Sequence, residues 1–322
     1  MRVAILSFAH ERAETYARLL SARPDVELVA ADPGGSPADR ERDRGAADRL
    51  GVSYVDDWAA LAGLRPGAVV VTGPIGRRRE LVEWAAGVRA QVLCEYPPAV
   101  GEADLKAMVD ACDSGGVRLT LASPACHSGA FAAVRRGIAD GIVGTLTTVL
   151  GSCHSRPGSG AALAVNAPHL LDLVDVALGG EPAQEVYAQT NTVLSGRTEA
   201  ESGAVLTVRY RGGLVASFDC SQQPAATGVP FATFIGDRAS VDYDPAPRLL
   251  GGFDVALGGD RVEPGGGDLH ALLLNDFLSA AESGTGSGPD GGAGLRTLRI
   301  VRAAYESART GQPVRLPDSP GN

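Results

Sequence analysis

The first 120 residues repeat one pattern, a short apolar run followed by a helical segment, and that rhythm leaves few folds open. The apolar runs are Val3 to Leu6, Val26 to Ala31, Ser53 to Val55, Ala68 to Thr72, Gln91 to Cys94 and Val117 to Ala122. Between them the spacing predicts helices from about Ala13 to Ala22, through the Asp/Arg-rich segment before Ser53, near Arg79 to Ala86 and from about Glu102 to Ser114. Strands separated by helices are joined by right-handed crossovers and lie parallel, and a parallel sheet carries helices on both faces. A doubly wound α/β domain over residues 1–122 follows.

From about Ser123 the pattern changes. A helix (Phe131 to Asp140), a strand (Thr145 to Cys153) and a second helix (Ala161 to Leu178) lead into consecutive strands: Ala183 to Leu194, Ala204 to Arg211, Leu214 to Cys220, Ala232 to Ile235 and Ser240 to Tyr243. Ala204, Leu206, Val208 and Tyr210 alternate with Thr207 and Arg209, which marks a strand buried on one face, and Gly212-Gly213 suits a two-residue hairpin turn. Two helices, about Leu269 to Ser283 and Leu295 to Arg309, flank the Gly/Ser-rich stretch Gly284 to Gly294. The expected fold is α/β overall. A Rossmann-like parallel sheet is followed by a C-terminal α+β domain, residues 123–322, with a mostly antiparallel open sheet.

Composition narrows the partners. The chain has 322 residues, 44% hydrophobic and 21% charged, with a formal charge of −9, which describes an ordinary folded protein. Its basic residues are scattered, so neither nucleic acid nor a membrane surface is an expected partner. Of the 29 basic residues only Lys106 is a lysine. Five cysteines, odd in number and without a C-x-x-C pair, point to a reduced, cytoplasmic setting. The N-terminus enters a strand within two residues and no long apolar stretch follows, so neither a signal peptide nor a membrane span is expected.

In a doubly wound sheet, ligands sit beyond the carboxyl ends of the strands, and the first strand-to-helix turn is the usual phosphate site. Here the turn reads Ser7-Phe8-Ala9-His10-Glu11-Arg12, where a dinucleotide fingerprint has glycine at positions 7, 9 and 12. Ser7 and Ala9 are small substitutes that leave backbone N–H groups for an anion, whereas Arg12 is bulky. Asp32 closes the second strand, 20 residues after Arg12, where a carboxylate binds the ribose 2′-OH of NAD and disfavours the 2′-phosphate of NADP. The other reading of Asp32-Pro33-Gly34 is a plain turn.

Taken together, the segments Pro24 to Asp32, Ala68 to Thr72, Val92-Leu93-Cys94-Glu95-Tyr96-Pro97, Gly141-Ile142-Val143-Gly144 and Pro168-His169-Leu170-Leu171-Asp172 resemble the glucose-fructose oxidoreductase / inositol dehydrogenase / rhizopine catabolism (Gfo/Idh/MocA) family over nearly the whole chain. The resemblance implies an NAD(P)-dependent oxidoreductase acting on a sugar, cyclitol or related hydroxy or keto compound. It also implies a homodimer or homotetramer built through the open sheet. NAD is the expected cofactor, with NADP or no cofactor as alternatives. Candidate cofactor contacts are Ser7, Phe8, Ala9, His10, Asp32, Thr72 and Glu95.

This chain departs from the family where the chemistry is done. The family's Glu-Lys-Pro is Glu95-Tyr96-Pro97, and the Asp that precedes its catalytic-region His by four residues is Val165, ahead of His169. Tyr96 and His169 are therefore the candidate acid/base pair. Tyrosine has a reference pKa of about 10, close to that of lysine. Asn166 and Asp172 flank His169 at helical spacing and are candidates to orient it. His127, His154, Asn166 and Asp172 are candidate substrate contacts, and no metal is expected, because Cys126-His127 and Cys153-His154 put adjacent side chains on opposite faces of an extended chain. Two alternative functions stay open: a non-redox dehydratase, epimerase or cyclase using Tyr/His proton transfer, and a catalytically silent ligand-binding sensor.

Overall fold

The computed structural model describes residues 1–194, 200–244, 268–284, 286 and 288–317. Two compact units emerge, one of residues Met1–Pro124 and His270–Leu295, the other of Ala125–Leu269 and Arg296–Asn322.

In the first unit six parallel strands, β1 (Arg2–Leu6), β2 (Glu27–Ala31), β3 (Ser53–Val55), β4 (Ala68–Val71), β5 (Gln91–Cys94) and β6 (Leu119–Leu121), stand in the order β3-β2-β1-β4-β5-β6. The doubly wound expectation is met. Val3 to Leu6 and Ala68 to Val71 have no exposed surface, which is why these strands are apolar without alternation. The helices between them are α1 (Ala13–Ser21), α2 (Pro37–Leu50), α3 (Trp58–Gly63), α4 (Arg78–Gly87) and α5 (Glu102–Gly115). Helix α2 is locally encoded: Ser36 and Asp39 form a reciprocal capping box, Pro37 opens the first turn, and Gly51 closes the last at φ 67°. The strand order reverses between β1 and β4, so the turns after β1, β2 and β4 line the switch point.

Helix Leu269–Ser283 also packs in this unit, with Leu273, Leu274, Phe277 and Leu278 in the core of Val3, Ile5, Tyr16 and Leu20. The Tyr16 ring meets His270 edge-on at 5.9 Å. The chain thus returns to its first unit after leaving it, a return that no local periodicity encodes.

The second unit holds α6 (Gly129–Ala139), β7 (Leu146–Ser155), α7 (Ala162–Ala177), β8 (Ala183–Asn191), β9 (Gly203–Tyr210), β10 (Val215–Gln222), β11 (Phe231–Gly236), β12 (Ser240–Tyr243) and β13 (Val314–Arg315). Its sheet runs β12-β11-β7-β10-β9-β8-β13, antiparallel except for the β7–β10 pair. It is therefore mixed, and mostly antiparallel as expected. Ala204, Leu206, Val208 and Tyr210 are buried, and Thr207 and Arg209 occupy the other face. The buried face meets Leu163, Leu170 and Leu171 of α7. On the opposite face Leu150 and Val205 are exposed. Among the described residues no helix is long and apolar enough to cross a membrane.

Candidate active site

The switch point of the first unit is built around the turn after β1. Ser7 is fully buried with φ 73°, the left-handed conformation that the first glycine of a dinucleotide fingerprint supplies without strain. Its amide donates to Ala31 O (2.9 Å), and its carbonyl accepts from Thr72 Oγ1 (2.6 Å). The His10 amide donates to Thr72 O (3.0 Å). Thr72 therefore ties the β4 end to the first turn and has no exposed surface. Phe8 turns into the core, and Ala9 is exposed.

Glu95 joins this turn to the segment after β5. Its Oε1 accepts a short hydrogen bond from the Tyr16 hydroxyl, and its Oε2 accepts from the Tyr96 amide at 3.1 Å. His10 Nδ1 lies 4.0 Å from Oε1 and accepts from the Arg12 amide at 3.3 Å. The neutral imidazole consequently carries its proton on Nε2. Burial, reinforced by the Arg78 guanidinium and opposed by Glu95, lowers the His10 pKa from its ordinary 6.5. Arg78 is buried and donates to the carbonyls of Gly73, Glu95 and Pro97, locking the backbone on both sides of a cis Tyr96–Pro97 bond. Tyr96 itself is half-buried.

Asp32 does not present itself to a ligand. It has no exposed surface, and its Oδ1 accepts from Arg77 Nη1 at 2.7 Å. The Gly35 amide donates to Asp32 O (3.0 Å), so the turn reading of this segment describes its backbone. Burial foremost, with the Asp43 carboxylate adding, raises the Asp32 pKa against the pull of Arg77. Arg42 bonds Asp43 at 2.7 Å and reaches Ser7 Oγ at 3.1 Å. For a dinucleotide, the first turn with its left-handed Ser7 fits the phosphate end, while the Arg42 guanidinium beside it is taken up by Asp39, Asp43 and Ser7. The ribose end does not fit the expected free carboxylate.

In the second unit His169 is half-buried in α7. The flanking candidates have partners of their own: Asn166 donates to Ser155 Oγ (3.2 Å), and Asp172 accepts from Thr297 Oγ1 (3.2 Å). His154 lies on β7 opposite Ser221 of β10, with Nε2 3.1 Å from Asp219 Oδ2, while Ser221 donates to Asp219 Oδ1. His127 is half-buried at the end of the turn Pro124–His127.

Tyr16, Arg42, Arg77 and Arg78 escaped the sequence reading. Tyr16 has the spacing of a core residue and Arg42 sits in a run of charges. Only the triple arginine 77–79 just after β4, a switch-point strand, marked its place.

Residues 4–123 match the family model described as oxidoreductase family, NAD-binding Rossmann fold, and residues 154–316 match that family's C-terminal alpha/beta domain. The chain is 25% identical over 307 residues to a D-apiose dehydrogenase of Paraburkholderia graminis, covering 87% of this chain and 81% of that protein. It is 26% identical over 267 residues to a 1,5-anhydro-D-fructose reductase of Ensifer adhaerens, covering 77% and 78%. A crystal structure of myo-inositol 2-dehydrogenase from Lactobacillus plantarum superposes with a TM-score of 0.80 at 16% identity, covering 98% and 99% of the two chains.

Proposed function

Because the chain belongs to the Gfo/Idh/MocA oxidoreductase family, with its NAD-binding Rossmann fold at residues 4–123 and its C-terminal domain at 154–316, we propose that it interconverts an alcohol and a carbonyl on a sugar or cyclitol, using a nicotinamide dinucleotide. The relatives named for D-apiose and 1,5-anhydro-D-fructose support a polyhydroxylated substrate.

The observation that carries this reading is the clamp on Glu95. Tyr16 holds one carboxylate oxygen, the Tyr96 amide holds the other, and Arg78 holds the carbonyls on either side. The backbone that carries Tyr96 is thereby fixed, which a proton-transferring group requires. Bound nicotinamide supplies the hydride acceptor or donor. Tyr96 stands where the family has its lysine, and its phenol holds or releases the accompanying proton. His169 keeps the family position in the second unit and serves as the second acid/base group. The protein acts in the cytoplasm as a homodimer or homotetramer through the open sheet, whose exposed Leu150 and Val205 suit a covered face.

The test is conversion of a panel of pentoses, hexoses and inositols with and without dinucleotide, in the wild type and in His169→Ala. Turnover that requires dinucleotide and falls roughly 10²-fold in the variant supports the reading. Turnover that persists without dinucleotide contradicts it and favours proton-transfer chemistry.

A further inference from the structure

Two carboxylates are buried against each other where β2 meets α2. Asp32, just past β2, and Asp43, on α2, have no exposed surface. Each gives one oxygen to a guanidinium: Asp32 Oδ1 accepts from Arg77 Nη1, and Asp43 Oδ1 accepts from Arg42 Nε, both at 2.7 Å. Their other oxygens, Asp32 Oδ2 and Asp43 Oδ2, are buried, and no group among the described residues donates to either. The Asp43 carboxyl lies within hydrogen-bonding range of Asp32.

The arginines do not balance the charge around them. Arg42 also pairs with Asp39 at 2.7 Å and Arg77 with Glu80 at 3.5 Å, so four carboxylates share two cations. Asp39 and Glu80 reach water, and Ser36 foremost, then Arg42, hold the Asp39 carboxyl below its ordinary range. The excess negative charge therefore falls on the inner pair. Tyr54 of β3 stands beside it with a buried hydroxyl that has no hydrogen-bond partner, and burial, then Asp43 and Asp32, pushes its pKa up to about 12, so the phenol stays neutral. Two carboxylates at this range in a dry site do not both ionise, and one proton between them turns repulsion into a hydrogen bond.

We propose that Asp32 and Asp43 share one proton through their Oδ2 atoms, and that this proton latches α2 and the loop before it onto the end of β2. The loop lies directly on the pair: a Cβ on Gly35 would come within 2.6 Å of Asp32 Oδ2, and one on Gly34 within 2.5 Å of Arg77 Nη2. When the proton leaves for solvent, two like charges face each other with one guanidinium apiece, and the segment Asp32–Asp43 loosens from the strand. Arg42 carries the change to the first turn, where it reaches Ser7 Oγ at 3.1 Å. Burial foremost, with Asp43 adding, raises the Asp32 pKa in the folded chain, so the closed state is favoured at low pH and is lost as pH rises through that raised value. The latch needs no dinucleotide, so its failure leaves the oxidoreductase reading intact.

The experiment has two readouts on the full chain. Carboxyl-labelled aspartate NMR follows the proton, with the two signals assigned by Asp32→Asn and Asp43→Asn. Hydrogen exchange of the peptide spanning Asp32–Asp43 follows the latch. In the wild type one proton stays on the pair above the ordinary carboxylate range, and both signals move in that one step. In Asp43→Asn the amide donates to Asp32 at every pH, so the segment stays closed. The ratio of wild-type to Asp43→Asn exchange, which cancels ordinary base catalysis, then climbs with pH by up to about tenfold per unit, one proton's worth. Asp32→Asn mirrors this result should Asp43→Asn fail to fold, and the wild-type titration needs neither variant. Titration of both carboxyls in or below the ordinary range, or a ratio that stays constant with pH, overturns the proposal.

Discussion

The Tyr16 hydroxyl donates to the Glu95 carboxylate across 79 positions of sequence, joining the helix after β1 to the segment that carries Tyr96. Both partners are buried, so neither has water to fall back on. Tyr16→Phe removes the donor and leaves Oε1 of a buried carboxylate without its tyrosine. We expect a loss of about 1–3 kcal/mol in folding stability by denaturant titration. An unchanged unfolding midpoint would show that Glu95 does not depend on Tyr16.

The left-handed Ser7 gives a second prediction. Ser7→Ala and Ser7→Gly both delete the hydroxyl that Arg42 and the Ala9 amide use, so their difference isolates the backbone term. A residue with a Cβ at φ 73° is strained by roughly 1–2 kcal/mol, and glycine is not. Ser7→Gly is accordingly the more stable variant by about 1 kcal/mol. Equal melting temperatures for the two variants would refute the strained turn.

His10 makes stability depend on pH. Its folded pKa lies below the ordinary 6.5, so the folded chain resists protonation more than the unfolded one. The contribution is complete above that ordinary value and is lost as pH falls through it toward the lowered folded pKa. His10→Gln cannot take the proton, and its melting temperature should decline less steeply than that of the wild type between about pH 7 and pH 5. Parallel curves would mean that His10 titrates alike in both states.

For Tyr96 the informative change is Tyr96→Phe, which keeps the ring and deletes only the phenol. If Tyr96 moves the proton, kcat drops roughly 10²-fold or more while dinucleotide affinity stays the same. A variant with wild-type kcat would leave Tyr96 as a packing side chain.

Much of this fold is legible locally. The central strands β1 and β4 announce themselves as uninterrupted apolar runs because both faces of their sheet are covered, and the one-sided strand β9 alternates because only one of its faces is. Helix α2 carries its own start and stop in Ser36, Asp39 and Gly51. What stayed hidden was long-range. The return of Leu273, Leu274, Phe277 and Leu278 to the first core is a tertiary choice with no local marker. The role of Asp32 was read from its position in the chain, but its environment is decided by Arg77, 45 positions away, and by the closure of Gly34 and Gly35. A residue type at the right spacing names a possible ligand, and only the neighbours show whether its oxygens are free.

We propose hydride transfer with Tyr96 holding the accompanying proton. The most direct measurement follows a deuterium label: sugars and inositols deuterated at their carbinol carbons are incubated with the protein and oxidised dinucleotide, and the reduced cofactor is weighed by mass spectrometry. We predict that the label appears in the nicotinamide, one deuterium per carbonyl formed. A substrate that is converted while the cofactor stays oxidised and unlabelled would contradict hydride transfer.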